Sequence, residues 1–270
     1  MQQSLKEWPG EGIRLKNNIM VPFVSGKKST TEDKEVVALL IIFTISLILR
    51  IFKLVLDPVP MRDSTFYLSL AREWLDNGMI LNTDFHGPLL PIYTIKELAR
   101  FTDIDIEIAG RSLALFLGSM IPALGYFISY KIFDDRKISV ICAIILMLHP
   151  NLISYSIEPL RDSPYLFFEE LIILEAIIAI KERKTLNWFF CGIFSTLAFF
   201  CRLEALEYLL IIPLVIFYLY LKNYFSLRKF ALNISAYIIP AFLSFITIPC
   251  IIDLRMDFVF RILFYAKDRI

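Results

Sequence analysis

The chain has 270 residues, of which 57% are hydrophobic, and its mean hydropathy is +0.63. The hydrophobic core of a soluble protein of this length cannot bury seven separate apolar stretches. The composition therefore excludes a water-soluble globular protein and indicates an all-α, polytopic membrane protein. The formal net charge is only +1, and the basic residues lie in short clusters beside the apolar stretches, which excludes an extended nucleic-acid-binding face.

The amino-terminal segment at residues 1–35 is polar and carries six basic residues. It lacks the apolar core of a cleavable signal peptide. We therefore predict that this segment stays in the cytoplasm.

Seven membrane-spanning helices are predicted from the apolar stretches, because one crossing requires about 20 residues. They cover residues 36–56, 109–133, 138–156, 164–180, 187–200, 203–221 and 230–252. Residues 36–252 thus form one transmembrane module, which includes a long loop at 57–108 and is followed by a tail at 253–270. The four cysteines fall in apolar stretches without metal-binding spacing, so neither a disulfide framework nor a zinc site is predicted.

The basic residues predict which side of the membrane each loop faces. The short loops at 131–137, 181–184 and 222–229 hold nine Lys or Arg in 19 positions, whereas the loop at 57–107 holds four in 51. Cytoplasmic loops carry the excess of Lys and Arg, so the short basic loops are predicted to be cytoplasmic. The long first loop, the loop at 150–163 and the tail then lie outside.

The first outer loop is predicted to contain two interfacial amphipathic helices. After Asp63, apolar side chains recur at helical spacing as far as Gly78, a residue type that favours a helix end. A second pattern begins at Pro88, which is favoured at a first helical position, and runs to Phe101. Both helices are predicted to lie flat on the outer leaflet.

Ionisable and polar residues accumulate at the predicted outer ends of the helices. They are Arg62, Asp63 and Tyr67 after the first span, His86 in the same loop, Glu158, Arg161 and Asp162 before the fourth span, and Arg202 and Glu204 between the fifth and sixth. A carboxylate at the membrane surface can take a proton from a hydroxyl group, and arginines can hold a phosphate. This pattern favours chemistry at the bilayer surface.

The order of these residues resembles a known family of membrane enzymes. The motifs are the Arg62-Asp63 pair, His86-Gly-Pro88-Leu-Leu-Pro91, Arg111 at the second span, Leu148-His-Pro150, Ser156-Ile-Glu158-Pro-Leu-Arg161-Asp162 and Phe200-Cys-Arg202-Leu-Glu204. Together, across residues 36–252, they are similar to the polyprenyl-phosphate-dependent GT-C glycosyltransferases of the protein mannosyltransferase and aminoarabinose transferase type. Members of that family usually continue into further spans and a soluble carboxy-terminal domain. The resemblance therefore implies a fragment, a minimal form or one partner of a split enzyme, and in the first case the tail at 253–270 is a truncated carboxy-terminal region.

The resemblance implies a reaction and a role for each site residue. A hexose or pentose moves, with inversion, from an isoprenoid phosphate carrier in the bilayer to a glycan, lipid or protein acceptor on the non-cytoplasmic face. The membrane is the cell membrane or, in a eukaryote, that of the endoplasmic reticulum. Asp63 is the implied catalytic base, and Asp162 is a second catalytic carboxylate. The implied substrate-binding residues are Arg62, Tyr67, His86, Glu158, Arg161, Arg202 and Glu204, with Arg161 and Arg202 at the phosphate.

Structural alternatives remain open for the charged residues. Asp63 can cap a helix that begins at Ser64, where the helix dipole weakens it as a base. Arg161 can form an ion pair with a neighbouring acid in a solvated loop, a contact worth little. Arg202 can pair with Glu204 alone.

The sequence assigns no cofactor. His86 and His149 lack the tight spacing of zinc ligands, so we interpret both as structural. A carboxylate with the reference pKa of about 3.9 is a weak base for an alcohol, and a divalent cation is one way to assist it. The alternative functions are a transporter and a non-catalytic scaffold. The sequence has no internal repeat and its polar residues gather in the outer loops, which favours an interfacial enzyme.

Overall fold

The computed structural model describes residues 30–78 and 89–251, and all regular structure in these ranges is helical. By its internal contacts the chain divides after Leu39, inside the first helix. The first unit is represented here only by residues 30–39, which are the opening residues of that helix. The contacts described below belong to the second unit, which begins at Leu40.

Ten α-helices and one 3-10 turn make up the described residues. They are α1 (Thr30–Leu56), α2 (Arg62–Asn77), α3 (Leu89–Thr102), α4 (Ile106–Phe133), α5 (Arg136–Leu148), α6 (Pro150–Ile157), α7 (Asp162–Glu182), α8 (Thr185–Cys201), the turn Leu203–Ala205, α9 (Leu206–Leu221) and α10 (Leu227–Ile251). The all-α prediction is confirmed. Five of the seven predicted spans each coincide with one of these helices. The third corresponds to α5 and α6 together, and the sixth to the turn Leu203–Ala205 and α9.

Four helical segments are long and apolar enough to cross a membrane. They are Glu35–Leu56, Ile106–Phe133, Leu203–Leu221 and Leu227–Ile248. The pair α5 and α6, whose axes are bent by 58°, is a fifth candidate. The helix α7 carries Glu169, Glu170 and Glu175 within its apolar sequence, and α8 has only 17 residues. The described part of the chain therefore contains four or five candidate spans, fewer than the seven helices predicted as spans.

The helix predicted at 138–156 is interrupted at His149. The helix α5 ends at Leu148, His149 is extended with φ −66° and ψ 119°, and Pro150 begins α6. A proline disfavours helical geometry in the preceding residue and has no N–H to donate. The prediction of one continuous helix is therefore wrong at this point, and the His-Pro dipeptide is the physical cause of the break.

The core of the bundle is formed by α4, α7, α8 and α10. The helix α4 packs on α5, α6 and α7, while α8 packs on α7 and α10. Ile172, Trp188 and Cys191 are completely buried at the centre. At Gly192 a Cβ atom would lie 2.3 Å from the carbonyl oxygen of Tyr237, so α8 and α10 approach each other at backbone distance there.

The apolar faces of α2 and α3 are covered by protein. Trp74 of α2 and Ile92 and Ile95 of α3 are almost completely buried, in one cluster with Ala109 of α4. Gly78 ends α2 with φ 73°, as predicted. The two predicted helices exist, and their buried faces contact each other and α4. Their position on the outer leaflet stays a prediction.

The opposite end of α4 is joined to α7 by charged side chains. Lys131 Nζ lies 3.1 Å from Glu182 Oε1, and Lys181 Nζ donates to the carbonyl oxygen of Ile132 at 3.0 Å. The Glu182 carboxylate also pairs with Lys184, and its hydrogen bonds to Lys184 and Lys131 outweigh burial and lower the pKa of Glu182. Two of the predicted cytoplasmic loops therefore meet at this end.

Cysteine labelling tests the predicted orientation. We expect a cysteine at Asn77 to react with a membrane-impermeant maleimide from outside, and one at Lys137 to react only after permeabilisation, because basic loops stay in the cytoplasm. Both residues are exposed. The background and control is the chain with Cys142→Ser and Cys250→Ser, because Cys250 is exposed and Cys142 is partly exposed, whereas Cys191 and Cys201 are buried. Reversed labelling would place the charged cluster described below on the cytoplasmic side.

Candidate functional site

The beginning of α4 brings three segments together. At Gly110 a Cβ atom would lie 2.8 Å from Pro159 Cβ and 2.9 Å from Leu68 Cδ2, so only glycine allows this approach. One turn of the same helix also holds the loop after α1, because Arg111 Nη2 donates to the carbonyl oxygen of Pro58 at 2.6 Å. The start of α4 therefore positions α2, the loop before α7 and the end of α1 relative to one another.

Glu158 fixes the amino terminus of α2. Its carboxylate is only 1% exposed, and Oε2 accepts hydrogen bonds from the Met61 N–H at 3.0 Å and from Ser64 Oγ at 2.5 Å. A carboxylate at this end of a helix satisfies free N–H groups and complements the helix dipole. Glu158, predicted to bind substrate, thus has a positioning role in this geometry.

Asp63 lies in the first turn of α2 and is exposed. The helix begins at Arg62 with Met61 as the N-cap residue, so the alternative that Asp63 caps a helix from Ser64 is wrong. Among the described residues, Asp63 has no hydrogen-bond or ion-pair partner for its side chain, and the same is true of the exposed Arg62. The Asp63 carboxylate is therefore free to contact a substrate.

Asp162 and Glu204 share one arginine. Arg202 Nη1 lies 2.8 Å from Asp162 Oδ1, and Arg202 Nη2 lies 3.2 Å from Glu204 Oε1. The alternative that Arg202 pairs with Glu204 alone is therefore wrong. The Arg202 guanidinium also lies over the ring of Tyr165, with Cζ 5.4 Å from the ring centroid. Burial opposes the charge of Arg202, but Glu204 and Asp162 outweigh it and raise the pKa of Arg202.

Tyr67 links α2 electrostatically to the start of α7. Burial raises the pKa of the half-buried Tyr67, Arg161 and Arg202 lower it, and Asp162 and Asp63 raise it further. The phenol therefore lies within electrostatic range of four predicted site residues. The structure brings together Asp63, Tyr67, Arg161, Asp162, Arg202 and Glu204, a group that we call the outer cluster.

The charge of Arg161 acts on Glu204 at longer range, but Arg161 makes no direct ion pair in the outer cluster. Its half-buried side chain makes no hydrogen bond or ion pair with any residue in the described ranges, in contrast to the predicted alternative of a neighbouring acid. The adjacent Asp162 pairs with Arg202 instead. The Arg161 guanidinium is thus available to an anionic ligand.

A polar stripe on α7 extends the outer cluster into the bundle. Asp162, Tyr165 and Glu169 follow one another at helical spacing, and a carboxylate oxygen of Glu169 accepts a hydrogen bond from the hydroxyl group of Tyr208. Glu170 Oε2 is buried without a hydrogen-bond partner. Tyr165 and Tyr208 are not among the predicted site residues. The spacing along α7 is a signal for Tyr165, but nothing in the local sequence indicates Tyr208.

An apolar cleft lies beside this stripe, between α8, α9 and α10. Its volume is about 230 Å³, and it is lined by Thr196, Leu209, Tyr237, Ile238, Ala241, Phe242 and Phe245. The two polar side chains are already engaged, because Thr196 Oγ1 donates to the carbonyl of Ala241 at 3.1 Å and Tyr237 Oη donates to that of Tyr208 at 3.0 Å. The cleft therefore presents a hydrocarbon surface.

His86 lies outside the described residues, so its role at the site stays a prediction. Within residues 30–78 and 89–251, no group of three or more His, Cys, Asp or Glu side chains is arranged to hold a metal ion. The carboxylates of the outer cluster are instead shared with Arg202 or exposed without a partner.

No protein-family model, curated protein or solved structure matches this chain. The resemblance to GT-C glycosyltransferases therefore stays a prediction from the motifs. Function has to be inferred from the outer cluster and the cleft themselves.

Proposed function

We propose that this chain is a membrane glycosyltransferase with seven crossings, which moves a sugar from a polyprenyl phosphate to an acceptor on the non-cytoplasmic face. The observation that carries the proposal is that the charges of Asp63 and Arg161 both act on the Tyr67 phenol, at the end of the helical bundle where Arg202 pairs with Asp162. Neither charged side chain has a hydrogen-bond or ion-pair partner among the described residues. Such a reaction needs a free base for the acceptor hydroxyl and a free cation for the departing phosphate.

The proposed reaction assigns one task to each charged residue. Asp63 takes the proton of the acceptor hydroxyl while its oxygen attacks the anomeric carbon. The bond from that carbon to the phosphate oxygen breaks, and the phosphate leaves with the electron pair and is held by Arg161. Attack from the face opposite to the leaving group inverts the anomeric centre. Asp162, fixed in orientation by Arg202, is placed to accept a hydrogen bond from the sugar or acceptor.

The apolar cleft supports a lipid-linked donor. A hydrocarbon chain is the ligand that a cleft without free polar groups accepts, because burying apolar surface there is favourable. Tyr208 connects the cleft with the stripe on α7, since its carbonyl accepts from Tyr237 and its hydroxyl donates to Glu169. In the proposal the isoprenoid chain lies in the cleft and its phosphate points towards the outer cluster.

Donor turnover in defined vesicles tests the proposal. The purified chain is reconstituted and given a panel of polyprenyl-phosphate sugars, together with candidate acceptors. We expect release of free polyprenyl phosphate from at least one donor, with the sugar recovered on an acceptor. Heat-inactivated protein is the control. No release from any donor of the panel would reject the proposed enzyme.

A transporter is the second candidate, because two observations favour it. The interrupted helix pair α5 and α6 and the buried, unpartnered Glu170 Oε2 are features that membrane transporters use in their translocation paths. The same vesicles distinguish the two functions. A transporter accumulates solute in the lumen without cleaving any lipid-linked sugar, whereas the enzyme generates free polyprenyl phosphate.

Arg161 is expected to contribute its charge to phosphate binding. Arg161→Ala should lower the turnover of the lipid donor by on the order of a hundredfold, and Arg161→Lys by clearly less, because lysine keeps a point charge without the planar fork. Initial rates at increasing donor concentration measure both effects. Arg72→Ala is the matched control, since Arg72 is exposed and pairs with Asp105. Unchanged turnover in both Arg161 variants would exclude Arg161 from the site.

A further inference from the structure

Arg50 of α1 is completely buried, and one edge of its guanidinium has no partner among residues 30–78 and 89–251. Nη1 donates to Ser46 Oγ at 2.5 Å and to the Ser46 carbonyl oxygen at 3.2 Å, while Nε and Nη2 have no hydrogen-bond partner in these ranges. Nε–H and Nη2–H point in the same direction from the planar group. They form the fork that makes two parallel hydrogen bonds to an oxyanion.

The charge of Arg50 is not compensated by any acidic side chain in the described ranges. Arg50 forms no ion pair there, and its side chain is completely buried. A buried charge without a partner is strongly unfavourable, and buried charges in proteins are paired or bind a ligand. Ionisable residues within membrane helices follow the same rule.

The position of Arg50 indicates which ligand can reach it. Two turns earlier on the same face of α1, Phe43 contacts Phe116 of α4 with ring centroids 5.8 Å apart. Arg50 therefore faces the seam between α1 and α4. It lies six residues, or roughly 9 Å, before the end of α1. Other faces of α1 expose Ile48, Ile51 and Phe52, so the surroundings of the seam are apolar.

We propose that Arg50 binds the phosphate group of a membrane lipid in the seam between α1 and α4. The hydrogen bond from Nη1 to Ser46 fixes the orientation of the guanidinium, so that Nε–H and Nη2–H can donate to the phosphate oxygens. Only 17% of the most apolar 18-residue segment of α1 is buried. Few protein contacts therefore oppose the small displacement of α1 that the lipid needs in order to enter from the bilayer. The site is separate from the outer cluster and does not depend on the proposed glycosyl transfer.

Thermal unfolding of the delipidated full chain in detergent tests this site. The probes are dioleoyl phosphatidic acid, dioleoylglycerol, which has the same chains without phosphate, and inorganic phosphate. We expect phosphatidic acid to raise the Tm saturably in the wild type, through preferential binding to the folded state. Its apparent Kd should be at least about tenfold weaker in Arg50→Met and intermediate in Arg50→Lys, which keeps the charge but not the fork.

Each further outcome decides for or against the site. Arg72→Met should bind phosphatidic acid as the wild type does. If inorganic phosphate raises the Tm as much as phosphatidic acid does, the ligand is soluble phosphate and the proposed lipid is wrong. The phosphate site is also wrong if dioleoylglycerol raises the Tm as much as phosphatidic acid does, or if Arg50→Met binds phosphatidic acid with the affinity of the wild type. If Arg50→Met does not fold, Arg50→Lys and Ser46→Ala are measured instead. Unchanged affinity for phosphatidic acid in both variants would show that Arg50 does not bind the phosphate.

Discussion

Replacing Asp63 by asparagine is expected to lower sugar transfer by about a hundredfold or more while the fold and donor binding are retained. Positioned acid–base catalysis contributes on the order of 10²–10⁴ to a rate, and an amide cannot accept the proton of the acceptor hydroxyl. The fold should survive because Asp63 is exposed and its side chain has no partner among the described residues. Tm, donor binding and transfer rate are measured on the same purified variant.

Asp76→Asn is the control for this experiment. Asp76 is also exposed and lies near the other end of α2, so its substitution makes the same change of charge away from the outer cluster. We expect normal transfer in this variant. If Asp63→Asn also retains transfer, Asp63 is not the base and the proposed mechanism is rejected.

Gly110→Val is expected to disrupt the assembly of the outer cluster. Its Cβ alone would lie 2.8 Å from Pro159 Cβ and 2.9 Å from Leu68 Cδ2, before the two methyl groups of valine are added. Overpacking of this kind costs about 1–3 kcal/mol or more. Because α2 and the loop before α7 both contact α4 at this point, transfer should be lost together with stability.

The effect of Gly110→Val is measured as the loss of Tm and of transfer. Ser112→Val is the matched control, because Ser112 is an exposed residue of the same helix and has space for the methyl groups. Gly110→Ala should be intermediate. A normal Tm and normal transfer in Gly110→Val would show that α4 does not hold the two segments together in this way.

Local sequence patterns predicted much of the helical architecture. The apolar stretches gave the positions of the helices, and Gly78 marked the end of α2 because glycine adopts φ 73° without strain. The break at His149 was also accessible from the sequence, since Pro150 restricts the residue before it. These features depend on residues that are close together in the chain.

Contacts between distant residues could not be predicted from the same patterns. The start of α2 at Arg62 depends on Glu158, which accepts from Met61 and Ser64 across more than 90 residues of chain. This carboxylate provides the cap that the sequence analysis considered for Asp63. The pairing of Asp162 with Arg202 and the close approach at Gly110 arise in the same way, from packing in three dimensions.

Under the proposed topology with seven crossings, the acidic residues of α7 have a consequence for how the chain enters the bilayer. A charged side chain at the centre of a helix opposes insertion by about 2.5–3.5 kcal/mol, and α7 carries Glu169, Glu170 and Glu175. Its successor α8 begins after only two intervening residues, and Asn187 Nδ2 donates to Glu175 Oε2 at 2.5 Å. The two helices are therefore suited to leave the translocon as one antiparallel hairpin. In that topology we expect α7 to enter the membrane only after α8 has been synthesised.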